Sequence, residues 1–188
     1  MVLLQMGGSL AVSVYGILMY IGDTLQQLLY GTCDGMQPAI GYNWGAGNKE
    51  RVKRLFTCCM TACAVVSLGG TILMFAFPHT IVSLFAQETE KVLLTTSAYA
   101  LQLYSLTFLT RWFGFAVQSL LVTLEKPLPA TILSLVNALI VPVLLLPILW
   151  PLQLDGLWLN TPITSLVVSV LALFFYIHLR KHSFLSKE

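Results

Sequence analysis

The chain has 188 residues, 57% hydrophobic and only 10% charged, with a formal net charge of +2, and its mean hydropathy is +0.82. That composition excludes an ordinary water-soluble domain and, with no large basic surface or basic-aromatic array, gives no nucleic-acid-binding signal. It predicts an all-α, polytopic membrane protein whose first partner is the lipid bilayer and whose charge sits in short loops.

Residues 1–8, MVLLQMGG, are too short to cross a bilayer and predict an N-terminal helix stub. Residues 9–45 predict the first full span, with Gly31 and Gly35 permitting a bend. Polar and small residues such as Ser13, Gly16, Gly22, Thr24 and Gln26 point one face toward protein or water. Asp23 has two readings: a carboxylate that couples proton or cation movement to conformational change, or one that stays wet in an outer vestibule. Asp34, three residues before Gln37, is expected to hydrogen-bond around the glycine-rich bend.

The stretch GTCDGMQPAIGYNWGAGNKERVKR, residues 31–54, ends in the densest charge cluster of the chain. Lys49, Glu50, Arg51, Lys53 and Arg54 sum to +3 within six positions, whereas residues 55–87 carry no formal charge. This reversal predicts a membrane boundary with the basic side cytoplasmic. Gly35, Pro38, Gly41, Gly45 and Gly47 read as backbone geometry, because the GxxxxGK[ST] pattern of a phosphate loop is absent. Asn43 is expected to cap or bridge backbone groups, and Trp44 to anchor at the headgroups.

Residues 55–77 predict the second span, about 34 Å long as an α-helix. Its patch of Ser67, Gly69, Gly70 and Thr71 invites close helix contact. Pro78 marks an exit, a short interfacial helix is expected over 80–85, and Glu88, Glu90 and Lys91 make an opposite loop of net charge −1. The third span is placed within 92–123, where Arg111 is the only basic residue of a predicted membrane segment. It is expected to pair with a carboxylate across the bundle or to constrain an interhelical gate. Gln102, Tyr104 and Gln118 are cavity-lining candidates. The fourth span, 128–150, is bent by Pro142 and Pro147 and holds Asn137 as its main buried polar residue, and 157–179 forms the fifth after an Asp155-Gly156 turn. Starting outside, these spans place Arg180, Lys181 and the C-terminus on the basic, cytoplasmic side.

Cys33, Cys58, Cys59 and Cys63 do not make a disulfide framework. Cys59 and Cys63 share a helical face, but no His completes a metal set, so they read as small packing residues and no metal is expected. His79, His178 and His182 assemble no hydrolase motif, so neither enzymatic activity, a catalytic residue nor a cofactor is expected.

Gly35-Met36-Gln37-Pro38, then Gly41-Tyr42-Asn43-Trp44-Gly45-Ala46-Gly47 and Glu50-Arg51-Val52, resembles a signature of multidrug and toxic compound extrusion (MATE) transporters. There it closes the second helix of the C-terminal lobe on the cytoplasmic side. The resemblance implies that residues 1–8 are the outer end of a seventh helix and the remainder helices eight to twelve, the C-terminal lobe of a MATE-like bundle whose N-terminal lobe is a missing partner. It further implies a bacterial inner-membrane exporter exchanging protons or sodium ions for small organic, chiefly cationic, compounds. On this reading Asp34, Gly35, Gln37, Pro38, Gly41, Asn43, Gly45, Ala46, Gly47 and Arg51 are structural motif positions. Asp23, Gln102, Tyr104, Arg111 and Gln118 are the ion-coupling or cavity candidates. One departure stands out: residues 92–124 contain no Asp or Glu, so a carboxylate used there by one branch of the family has no match. A lipid or polysaccharide flippase, a non-transporting membrane partner and a truncation product are the alternatives.

Overall fold

The computed structural model describes residues 2–85 and 91–181, with side chains from residue 8 onward. Among them run eight α-helices: α1 Val2–Gly45, α2 Lys49–Ala76, α3 Pro78–Val82, α4 Lys91–Ser105, α5 Thr107–Thr123, α6 Pro127–Leu135, α7 Val141–Leu149 and α8 Gln153–Leu179. Glu88, Glu90 and His182 lie outside the described residues.

The backbone of the first span keeps helical angles through Gly31 and Gly35. The one non-helical backbone position inside α1 is Gly8, at φ 63° and ψ −156°, a conformation open to glycine because it lacks Cβ. It sets residues 2–7 apart from a helix of 38 residues, Gly8–Gly45. An added Cβ at Gly31 or Gly35 would meet no atom within 4 Å, so neither glycine is required there by a close neighbour. Pro38 is tolerated within the same helix.

At its lower end α1 stops in a Schellman turn. Asn48 N–H donates to the Asn43 carbonyl at 2.9 Å and Gly47 N–H to that of Trp44 at 3.0 Å, while Gly47 takes φ +73°. Two orphan carbonyls are thereby satisfied, which accounts for the glycine two residues beyond the helix end. Asn48 then accepts the first backbone bonds of α2 from Arg51 and Val52, at 3.0 and 3.1 Å. The interfacial helix starts earlier than expected, at Pro78, a residue suited to a first turn because its missing N–H would have no partner there.

The third span is broken. α4 and α5 meet at Leu106 with a bend of 43°. No Gly or Pro marks the place; hydroxyls do. The bend frees the carbonyls of Gln102 and Ser105, which Ser105 Oγ and Thr71 Oγ1 approach at 2.7 and 3.5 Å. Ser67 Oγ donates to the Phe108 carbonyl at 2.6 Å and Ser169 Oγ to that of Thr110 at 2.7 Å. Irregular backbone in an apolar bundle is stable where such partners replace water.

From Pro127 to Leu179 the helical path is almost unbroken over 53 residues, yet it forms two antiparallel legs. Gln153 reverses the chain with φ 51° and ψ −124°. Asn160 Nδ2 then donates to the Pro142 carbonyl at 3.1 Å, and Gly156 lies directly against the carbonyl of Leu149. Within the first leg, Val136–Ile140 is a π turn, with Val141 N–H bonded to the Val136 carbonyl five residues back. It precedes Pro142, which has no N–H to continue an α pattern, so the wider turn absorbs the missing bond.

α5 is the centre of the bundle, packed against α1, α2, α6 and α8. Phe108, Val117, Leu120 and Leu121 fill its faces and are buried. Phe56 near the start of α2 and Tyr176 near the end of α8 have ring centroids 5.6 Å apart. The basic 49–54 segment and Arg180 therefore share one end of the bundle. Outward, Leu144, Ile148, Val170, Phe174 and other large apolar side chains are exposed, and no residue of α7 is buried. Apolar side chains on the outside and hydroxyls on the inside are what a lipid solvent selects.

Candidate functional site

A cavity of about 400 Å³ opens between α1, α5, the π turn and α8. α1 contributes Tyr30, Asp34 and Gln37; α5 contributes Arg111, Gln118 and Ser119; the π turn contributes Asn137; α8 contributes Ser165 and Ser169. Gly114 of α5 makes the approach of α8 possible, since an added Cβ would sit 3.4 Å from Val168 and 3.5 Å from Ser169 Oγ.

One wall is a fixed polar relay. Gln37 Nε2 donates to Asp34 Oδ1 at 2.9 Å and lies 3.0 Å from Ser119 Oγ, tying the acidic residue of α1 to the middle of α5. On the next turn Gln26 Nε2 donates to Tyr30 Oη at 2.9 Å, and the Tyr30 ring stands edge-on to Phe115 with centroids 4.2 Å apart. Arg111 is half-buried and lies one position from Thr110, whose carbonyl is held by Ser169. Among the described residues Arg111 forms no ion pair; the one salt bridge there joins Lys53 to Glu50 at 2.6 Å, on the surface. The cross-bundle pairing expected for Arg111 is thus absent from the described residues, although Arg111 and Asp34 line the same cavity.

Of the residues singled out from the sequence, Asp34, Gln37, Arg111, Gln118 and Asn137 come together in this cavity. Asp23, Gln102 and Tyr104 do not. Asp23 is exposed, 22 residues before Gly45. At 1.5 Å per residue that places it about 33 Å from the basic end, beyond the roughly 30 Å of a hydrocarbon core. Asp34, 11 residues from Gly45, sits about 16 Å along the same axis, near mid-depth. Tyr104 is 5% exposed and packs on Gly22 where α4 crosses α1, edge-on to Phe108 with centroids 6.0 Å apart. Gln102 Nε2 donates to the Phe75 carbonyl at 3.2 Å and so braces α4 against the end of α2.

The glycine-rich segment divides in the same way. Asn43 is 7% exposed and returns its amide to the Ala39 carbonyl at 2.8 Å. A Cβ on Gly41 would lie 3.5 Å from Thr123, so the α1 end meets the α5 end there. Gly35, Gly45, Ala46 and Arg51 are exposed, and Gly45 has open space around it, so it is not a packing glycine within this chain. Glu50 faces water, its carboxyl held below the usual range by the Lys53 ammonium. Sequence reasoning passed over Ser165 and Ser169, although their four-residue spacing on one helix face was a readable sign.

The MatE family model matches residues 1–148. The chain belongs to this family. The Multidrug export protein MepA of Staphylococcus aureus (strain N315) is 28% identical over 138 residues, covering 73% of this chain and 30% of the relative. MepA of Staphylococcus haemolyticus (strain JCSC1435) is 25% identical over 177 residues, covering 92% of this chain and 38% of the relative. The chain thus spans about a third of the length of the curated relatives it matches. Among solved structures, an outward-facing MATE family transporter of the MOP superfamily superposes with a TM-score of 0.88 at 17% identity, over 99% of this chain and 42% of that one. The MATE multidrug transporter DinF-BH superposes at 0.82 with 25% identity, over 98% of this chain and 41% of that one. The fold is that of part of a MATE transporter, and the extent of these matches agrees with a C-terminal lobe.

Proposed function

We propose that the chain acts as one lobe of a secondary active exporter, exchanging protons or sodium ions for organic, chiefly cationic, compounds through a cavity completed by a second lobe. The observation that carries this reading is the placement of Asp34 near mid-depth in a polar cavity walled by an otherwise apolar bundle. A carboxylate at that depth is costly unless it has a partner or water, and ion-coupled carriers use such groups.

Asp34, in place of Asp23, is the coupling carboxylate on this proposal. A proton or sodium ion that neutralises it weakens its hold on an organic cation, so the two ligands compete and each favours a different exposure of the cavity. Gln37 orients the carboxylate while leaving one oxygen for the exchanged species. Arg111 repels the cation from the α5 wall and confines it to the Asp34 side. The family membership supports export as the activity, and the gathering of basic residues at one end supports that end, with the C-terminus, being cytoplasmic.

The test is ion-driven uptake of a fluorescent organic cation into inverted membrane vesicles containing the complete transporter. Asp34→Asn is expected to abolish the dependence on the ion gradient at unchanged membrane abundance, and Asp23→Asn to leave it intact. Undiminished, ion-dependent transport by Asp34→Asn would sink the assignment.

A further inference from the structure

Away from the cavity, Cys33 of α1 and Cys59 and Cys63 of α2 converge on one point. Each is at most 3% exposed. Cys33 Sγ lies 3.5 Å from Cys63 Sγ and 3.9 Å from Cys59 Sγ, and the three sulfurs all lie within 4.8 Å of one another. Cys59 and Cys63, one turn apart, present one face of α2, and α1 supplies the third thiol where the two helices cross. Cys58, their neighbour, points away and is exposed. Packing explains why each thiol is buried. It does not explain why three of them, from two helices, meet tip to tip, where alanine or valine would fill the space.

We propose that these three thiols form a binding site for a trivalent thiophilic metalloid, with arsenic(III) as its fitting member. Three sulfurs bonded to a trigonal centre at about 2.3 Å stand about 4.0 Å apart, and a pyramidal centre draws them closer. Both separations measured from Cys33 fall in that span. Charge decides among the soft ions. The group contains no His, Asp or Glu, and it is enclosed by apolar helices, so a complex that keeps net charge bears a large desolvation cost. Three thiolates leave a charge of −2 on copper(I) and −1 on zinc(II), and zinc favours a fourth ligand. On a trivalent centre they leave none.

The binding step balances without any redox partner. Arsenous acid, As(OH)3, exchanges its three hydroxyls for the three cysteine sulfurs. Three As–O and three S–H bonds break, three As–S bonds form, and each thiol proton leaves with a hydroxyl as water. The entering molecule is neutral, so it brings no charge through the bundle, and the product joins α1 to α2.

Sodium arsenite is the probe, added to the complete, reduced protein in detergent after the reductant is removed, with zinc chloride in a parallel arm. Retained arsenic is measured by mass spectrometry after desalting, and its neighbours by arsenic X-ray absorption. The expected result is one arsenic per chain with three sulfur neighbours and no oxygen, unchanged in Cys58→Ser. Affinity should fall by about 100-fold or more in Cys33→Ser and in Cys63→Ala, at least the loss that outer partners of metal sites carry. No retained arsenic, coordination by two sulfurs, equal retention by Cys33→Ala, or tighter zinc than arsenite would each overturn the proposal. Where a cysteine variant folds poorly, the stoichiometry and sulfur count of the unaltered protein decide alone.

Discussion

Gly156→Ala puts the α7–α8 hairpin under direct test. A Cβ there would overlap the carbonyl oxygen of Leu149 and stand 3.1 Å from both the carbonyl carbon and the Cβ of the same residue. Two of these three neighbours are backbone atoms, which cannot rotate aside as a side-chain tip does. The hairpin must open, and the Asn160 to Pro142 bond of 3.1 Å a turn above opens with it. Overpacking of this kind costs about 1–3 kcal/mol, and loss of the side-chain bond adds about 0.6 kcal/mol in a membrane bundle. At roughly 2–4 °C per kcal/mol for a chain of this size, the melting point should fall by about 3–14 °C. The protein carries its own reporter, since three of its four cysteines are buried and react with a fluorogenic maleimide only on unfolding. Gly45→Ala, with nothing within 4 Å of the new Cβ, is the matched control and should melt with the parent. If Gly156→Ala melts with Gly45→Ala, the α7–α8 contact does not exist as described.

The broken helix gives a second set of outcomes: Ser67→Ala and Ser169→Ala each remove a donor to an α5 carbonyl and should each lower stability by about 0.6 kcal/mol, read in the same melting assay. Gly22→Val should be worse than either, because its side chain would occupy the place of the Tyr104 ring, and Gly22→Val combined with Tyr104→Ala should recover part of the loss. Lys53 lowers the carboxyl of Glu50, so any stability from that pair is present above the ordinary carboxyl range and is lost as pH falls through the lowered value. The pair is on the surface and screened, so Glu50→Gln should leave the melting curve unchanged from neutral pH down to that range; a difference that grows on the neutral side would contradict this.

What the sequence made legible is what depends on solvent preference and on local chain geometry. The long apolar runs predicted the legs, the step from +3 to no charge after Arg54 marked one end, and Gly47, read as a backbone-geometry position, takes the positive φ of the turn that closes α1. Arg111 and Gln118 were read as cavity candidates and Asn137 as a buried polar residue because a polar residue in such a run is conspicuous, whereas Asp34 and Gln37, which line the same cavity, were read as structural motif positions. The failures share a cause. The break at Leu106 carries no Gly or Pro in its own segment, and apart from Ser105 the hydroxyls that make it tolerable, on Ser67, Thr71, Ser165 and Ser169, belong to α2 and α8. Tyr104 looked like a cavity residue because its spacing from Gln118 says nothing of Gly22, eighty-two positions earlier, which receives its ring. Cys33 was likewise separated from Cys59 and Cys63 until a helix crossing joined them.

Two departures from α geometry, the 43° bend at Leu106 and the π turn at 136–140, lie beside the same cavity, the first through Ser165, which bonds the Thr107 carbonyl, and the second through Asn137. That coincidence has a physical basis. In hydrocarbon a freed carbonyl has no water to accept, so an irregular turn survives only beside donors or beside a space that admits water. Ser165 meets both conditions at once, lying 3.1 Å from the Thr107 carbonyl and 3.0 Å from Thr110 Oγ1 while lining the cavity. Arg111 is carried on the segment just beyond the bend, and Asn137 on the π turn itself. Any rotation of α5 about Leu106 must therefore exchange hydroxyl partners with α2 and α8 and move Arg111 relative to Asp34. A carrier needs its binding groups on elements that have two packed arrangements of similar energy. A helix already broken, joined at Leu106 by long i to i−3 backbone bonds of 3.3 and 3.2 Å and braced by rotatable hydroxyls, meets that requirement at lower cost than a straight one, because fewer regular intrahelical bonds have to be broken first.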